Sequence, residues 1–178
     1  MTLLFVGLVV AIVAVAIAFI ATRPAEFAIQ RSRWIAAPPE RIFPHLSDLR
    51  AWAGWSPWEG LDPNTQRTFG AASTGVGATY HWSGDRRVGE GEMTITEVRP
   101  STLLGLTIRF IRPFQATNHV TFELTPENEG TTVTWTMRGR NGFLGKLMGL
   151  IINCDRLVGG QFTLGLEKLS QVSGDSAR

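Results

Sequence analysis

The chain has 178 residues, 44% of them hydrophobic, a formal net charge of +2 and a single cysteine. That length fits one domain, the six tryptophans and ten phenylalanines exclude a disordered chain, and one cysteine excludes a disulfide scaffold. The basic residues are scattered in ones and twos, which argues against the clustered cationic face that nucleic-acid binding needs.

From Leu3 to Ala21 run nineteen consecutive uncharged residues, with only Gly7 outside the apolar set. As a helix they extend about 28 Å, close to the hydrocarbon thickness of a bilayer. A transmembrane helix is therefore expected over residues 2–22. A cleaved signal peptide would need a positive start, a shorter apolar run and a small-x-small site beyond it, and none is clearly present. No Lys or Arg precedes the span, whereas Arg23, Arg31 and Arg33 follow it. By the positive-inside rule this describes a single-pass membrane protein with a cytoplasmic soluble domain.

Glu26 to Ile35 alternates in polarity and reads as a first strand, ended by Pro38-Pro39. Pro39 suits a helix's first turn, and Ile42, Phe43 and Leu46 then share a face, so a short helix runs to about Ser47. A second short helix, around Leu49 to Ala53, leads into Trp55-Ser56-Pro57-Trp58. Beyond Pro63 the period becomes two, with strands expected near Gln66 to Phe69, Ala78 to Ser83, Gly89 to Val98, Leu103 to Phe110, Gln115 to Leu124 and Thr131 to Gly139. In the last, Thr132, Thr134 and Thr136 alternate with Val133, Trp135 and Met137, one face wet and one buried. From Asn141 to about Val172 the helical period returns and predicts one long terminal helix, despite Gly145, Gly149, Gly159, Gly160 and Gly165. Each glycine costs a helix interior about 1 kcal/mol relative to alanine.

This order is α+β: a curved antiparallel sheet of six to seven strands around a long C-terminal helix, two short helices after the first strand, and an apolar helix in front. Particular segments carry a resemblance. They are Ala37 to Phe43 opening the first short helix, Asp48 to Trp58 across the helix pair, Gly75 to Trp82, Ile95 to Pro100, and Leu164 to Leu169. In these the chain resembles the START-like or SRPBCC superfamily, the helix-grip fold, and its polyketide cyclase/dehydrase and lipid transport-like branch. The resemblance implies a ligand-binding domain over residues 26–172, with 173–178 as a flexible tail. Members include lipid and sterol carriers, quinone-binding proteins, cyclases and a co-chaperone, which share a deep apolar cavity more than any catalytic set.

Strand parity and helical period place that cavity between Tyr80, Trp82, Met93, Leu106, Ile108, Asn118, Val120, Phe122, Trp135 and Met137 on the sheet and Leu147 and Ile151 on the helix. Asn118 puts an amide on an apolar face, where it either meets a ligand's polar group or sits at a wet rim. Tyr80 offers a hydroxyl on the parity of Trp82. Trp52, Trp55 and Trp58 read as core and cavity-rim packing, and Cys154 as a packing cysteine. His45, His81 and His119 form no metal-ligand motif, so neither metal nor cofactor is expected. Glu90, Glu92 and Glu97 read as a solvated strand face.

No nucleophile, triad or metal set is recognisable, which favours binding of a hydrophobic or amphipathic small molecule (lipid, isoprenoid or quinone) over catalysis. The alternatives are a cyclase- or hydrolase-like enzyme in which Tyr80, His81 or Asn118 gives acid/base or oxyanion help, and a protein-interaction module like the co-chaperone.

Overall fold

The computed structural model describes residues 2–151 and 154–174. The apolar segment forms α1 (Thr2–Thr22), a helix long and apolar enough to cross a membrane. Phe5, Val10, Ile12 and Phe19 on it are exposed, uncovered by any protein core. After a short joint comes β1 (Glu26–Ile35), then α2 (Pro39–Ser47), which starts on Pro39, where a missing backbone N–H costs nothing. Its apolar face of Ile42, Phe43 and Leu46 is buried.

The end of α2 is closed by tryptophans. Helix C-termini leave carbonyls without partners, and here the indole N–H groups of Trp55 and Trp52 donate to the carbonyls of His45 and Leu46, each at 2.8 Å. This holds the 3₁₀ turn Ala51–Gly54 against α2 and turns Trp55 into the core, fully buried.

Six further strands follow: β2 (Gln66–Phe69), β3 (Thr79–Ser83), β4 (Glu90–Arg99), β5 (Leu103–Arg112), β6 (Ala116–Glu127) and β7 (Gly130–Arg140). All neighbours pair antiparallel in one seven-stranded sheet of order β1-β7-β6-β5-β4-β3-β2. The period-two pattern in β7 buries Val133, Trp135 and Met137 as expected, but Thr136, expected on the wet face, is buried too, its hydroxyl donating to the Gln30 side-chain oxygen at 3.4 Å under the neighbouring strand β1. On the outer face Glu90, Glu92 and Glu97 pair with Arg112, Arg109 and Arg99. Such exposed pairs contribute up to about 1 kcal/mol each.

The helical stretch expected from Asn141 to Val172 is described as α3 (Phe143–Ile151) and α4 (Cys154–Gly174), and the two residues between them, 152–153, lie outside the described set. The helical period shows that a face is covered, but not by what. α3 packs beside α1, where the Lys146 ammonium donates to the Ala21 carbonyl at 2.9 Å, a cation on a helix C-terminus. α4 crosses the sheet, burying Phe162, Leu166 and Leu169 and packing along β1. Arg31 of β1 reaches both carboxylate oxygens of Asp155 in its first turn, at 3.1 and 3.0 Å. α4 continues to Gly174, so Ser173 is helical, and residues 175–178 of the expected tail lie outside the described set. The side chain of Cys154 also lies outside the described residues.

Candidate functional site

The inward rows of the central strands β3 to β7 meet solid core at one end of the sheet and open space at the other. Toward the end where β1 begins, the concave face, the segment after α2 and the start of α4 enclose a pocket of about 310 Å³. From the sheet come Tyr80, Trp82, Met93, Ile108, Phe110, Val120, Trp135 and Met137. Cross-strand register brings them together: Tyr80 stands opposite Met93, Met93 opposite Ile108, and Val120 opposite Met137. Trp52, Trp58, Val158 and Phe162 close the other side.

The aromatic rings pack against one another as well as facing the space. Tyr80 stacks with Phe69 at 5.0 Å and with Trp82 at 6.0 Å, and Trp82 meets Phe110 edge-on at 5.9 Å. Gly91 lies opposite Trp82, and a Cβ there would come within 2.7 Å of the indole ring, so the glycine makes room for it. The Trp135 indole nitrogen is buried without a hydrogen-bond partner among the described residues.

One side of the pocket is polar. Glu59 and Arg67 form a two-pronged ion pair at 2.6 and 3.3 Å beside the Tyr80 hydroxyl. Burial, and secondly the Glu59 carboxylate, push the Tyr80 phenol up to about 12, with Arg67 acting in the opposite direction. At neutral pH Tyr80 therefore keeps its proton and can donate or accept a hydrogen bond. Asp62, itself buried, accepts from the backbone N–H of Asn64 and of Asp85, both at 2.9 Å. That ties the chain before β2 to the β3–β4 turn, whose Arg86 and Arg87 line the pocket together with Arg112 and Pro113 at the end of β5.

A family model described as polyketide cyclase / dehydrase and lipid transport matches residues 26–174. The chain belongs to this family. Among solved structures, it resembles a Chromobacterium violaceum protein at 18% identity and TM-score 0.60, covering 82% of this chain and 96% of that one. A Mesorhizobium loti protein gives 22% identity and TM-score 0.61, covering 85% and 99%. DynU16, from the dynemicin biosynthetic locus, gives 17% and 0.56, covering 81% of this chain and 46% of that one. At these identities the likeness establishes the fold, the helix-grip architecture of the polyketide cyclase/dehydrase and lipid transport family. None of the curated proteins matches the sequence significantly.

Within this family fold, seven of the residues expected to line a cavity do border the pocket: Tyr80, Trp82, Met93, Ile108, Val120, Trp135 and Met137. Leu106 and Phe122 share the inward face but lie farther along their strands in packed core, Phe122 edge-on to Trp52 and Trp55 at 5.8 and 5.9 Å. Asn118 is neither at a wet rim nor in the pocket. It is buried, and its amide donates to the Met137 sulfur at 3.3 Å. Leu147, on α3 beside α1, does not border the pocket, and the side chain of Ile151 lies outside the described residues. The helix side of the pocket comes from α4 through Val158 and Phe162.

The other candidate acid/base groups are elsewhere. His81 faces outward beside Glu90 at 3.5 Å, and His119 sits against the Thr107 hydroxyl at 3.3 Å. His45 is on α2, its imidazole held below the ordinary range by burial. Among the described residues no group of three or more His, Cys, Asp or Glu is arranged to hold a metal. Sequence reasoning missed Glu59, Arg67, Arg86, Arg87 and Arg112, which reach the pocket from turns and strand ends where periodicity carries no signal.

Proposed function

We propose that this chain is a membrane-tethered domain that binds or carries one hydrophobic or amphipathic small molecule, of the lipid, isoprenoid or quinone kind, in the pocket between the sheet and α4. The carrying observation is the lining: a concave, largely aromatic and aliphatic surface with a few polar groups, Glu59, Arg67 and Tyr80 together and Arg86, Arg87 and Arg112 from a turn and a strand end, which is how small-molecule sites combine burial with orientation. A pocket of about 310 Å³ accommodates a ring system or one folded chain, not a whole two-chain phospholipid. The family description, with lipid transport in it, supports the same class of ligand. The length and apolarity of α1 support the tether.

Binding is favoured over catalysis by the placement of the candidate groups. Of Tyr80, His81 and Asn118, only Tyr80 borders the pocket, and a phenol held near 12 is a poor base at neutral pH.

Trp52, Trp58, Trp82 and Trp135 border the pocket, so tryptophan fluorescence reports occupancy. Titrating the detergent-solubilised chain with a brominated fatty acid should give saturable quenching, competed by the unbrominated parent. Quenching that rises linearly with probe and is not competed would refute the site.

A further inference from the structure

We propose that the end of the sheet where the exposed lining residues Arg86, Arg87, Arg112 and Pro113 lie is a docking face for an anionic bilayer, so that the pocket opens onto the membrane that α1 enters. The proposal rests on the reading of α1 as a membrane anchor.

Strand register decides which turns lie together. Glu26, the first residue of β1, pairs with Arg140, the last of β7, and Asn118 near the start of β6 pairs with Gly139. Phe110 pairs with Ala116, Glu90 with Arg112, and Ser83 with Glu90. Followed across the sheet, these pairs put the α1–β1 joint, the β7–α3 joint, the β5–β6 turn and the β3–β4 turn at one edge. The pocket residues Arg86, Gly89, Arg112 and Pro113 belong to that same edge. α3, pinned to α1 through Lys146, starts there too.

The chemistry of that edge suits an anionic lipid surface. Arg86, Arg87, Arg112 and Arg140 are there, with Lys146 close by at the end of α1. Arg87 and Arg112 are balanced by Asp85 and Glu90, whereas Arg86 has no ion pair among the described residues. Phe114 at the tip of the β5–β6 turn is 56% exposed and Phe143 at the start of α3 is 50% exposed. Exposed phenylalanines amid arginines match the interfacial zone, where apolar rings enter the headgroup layer and cations meet lipid phosphates. The opposite edge carries Glu123, Glu127 and Glu129 against Arg33 and Arg99, so charge also separates the two ends. A chain tethered by α1 has its basic, aromatic edge nearest the bilayer and its acidic edge away from it.

The test uses the full chain in nanodiscs of phosphatidylcholine alone or mixed with phosphatidylglycerol, read by amide hydrogen exchange. Turns 84–89 and 113–115 should exchange several-fold more slowly in the anionic discs, and high salt should remove the difference. Arg86→Glu should weaken that protection by about fivefold or more, since each basic residue near an anionic surface contributes roughly that factor. Glu129→Gln, at the far edge, should leave it unchanged. Incorporation into discs with equal exchange in both lipid compositions overturns the docking face while leaving the anchor intact. Failure to incorporate overturns the anchor reading and the docking face with it.

Discussion

The indole of Trp135 on β7 lies flat on the phenyl ring of Phe162 on α4, ring centroids 4.0 Å apart and planes 7° from parallel. Trp135 also meets Trp55, Trp58 and Phe122 at 5.6, 5.9 and 4.8 Å, so this one ring joins sheet, helix and the segment after α2 while its remaining surface borders the pocket. At 2% exposure it is a core residue as much as a lining one. Trp135→Ala should therefore cost about 3–5 kcal/mol of stability, the range for large-to-small aromatic truncations. It should also reduce any ligand-dependent rise in Tm. Denaturant unfolding of both proteins, with and without a brominated fatty acid, measures both effects.

Gly165 on α4 faces that ring. A Cβ there would sit 2.8 Å from a ring carbon of Trp135 and 3.0 Å from Pro57 Cδ, neither of which can move far. In an open helix Gly→Ala gains about 1 kcal/mol from propensity. Here overpacking should outweigh the gain, giving a net loss of roughly 1–2 kcal/mol by chemical denaturation. Gly160→Ala, where a Cβ meets nothing within 4 Å, should show the gain instead.

The protein has one tyrosine, so its phenolate absorbance belongs to Tyr80 alone. Unfolded, the group titrates near 10, and in the folded pocket its pKa is pushed up to about 12 by burial and by Glu59. The folded state thus holds the phenolic proton more tightly. The corresponding stabilisation is full below about pH 10 and is lost as pH rises through about 12. Tyr80→Phe should flatten stability over that interval. A spectroscopic midpoint near 10 in the folded protein would contradict the burial of the hydroxyl.

Asn118 bonds to the Met137 sulfur and stands outside the pocket. Asn118→Leu should therefore change affinity for a fatty acid and for the matching hydrocarbon by the same factor. Selective loss of the acid would place the amide at the ligand after all. Competition titrations with the two probes decide between these outcomes.

Strand alternation was enough to find the inward face: Tyr80, Trp82, Val120 and Met137 are all on it. It could not say where along a strand the packing stops, which is why Leu106 and Phe122 share parity with the pocket residues but belong to solid core. That boundary is set by Trp52 and Trp55, whose positions follow from two indole bonds to the end of α2, a tertiary fact with no periodic trace. Leu147 shows the same limit in a helix, because the helical period cannot say which stretch of the helix lies over the sheet, and α3 lies beside α1. The arginines that line the pocket come from turns and strand ends brought together by register, and a linear reading leaves them as isolated surface charges.

The most direct test of the central claim compares the small molecules retained by the full chain with those retained by Val120→Trp, in which a larger ring occupies the pocket floor while α1 is unchanged. Both are purified in the same detergent, extracted with solvent and quantified by mass spectrometry. Lipid held around α1 is common to the two and cancels. The account predicts one class of apolar or amphipathic molecule, near one equivalent per chain, present in the parent and depleted in Val120→Trp. Identical profiles from two equally folded proteins would contradict it.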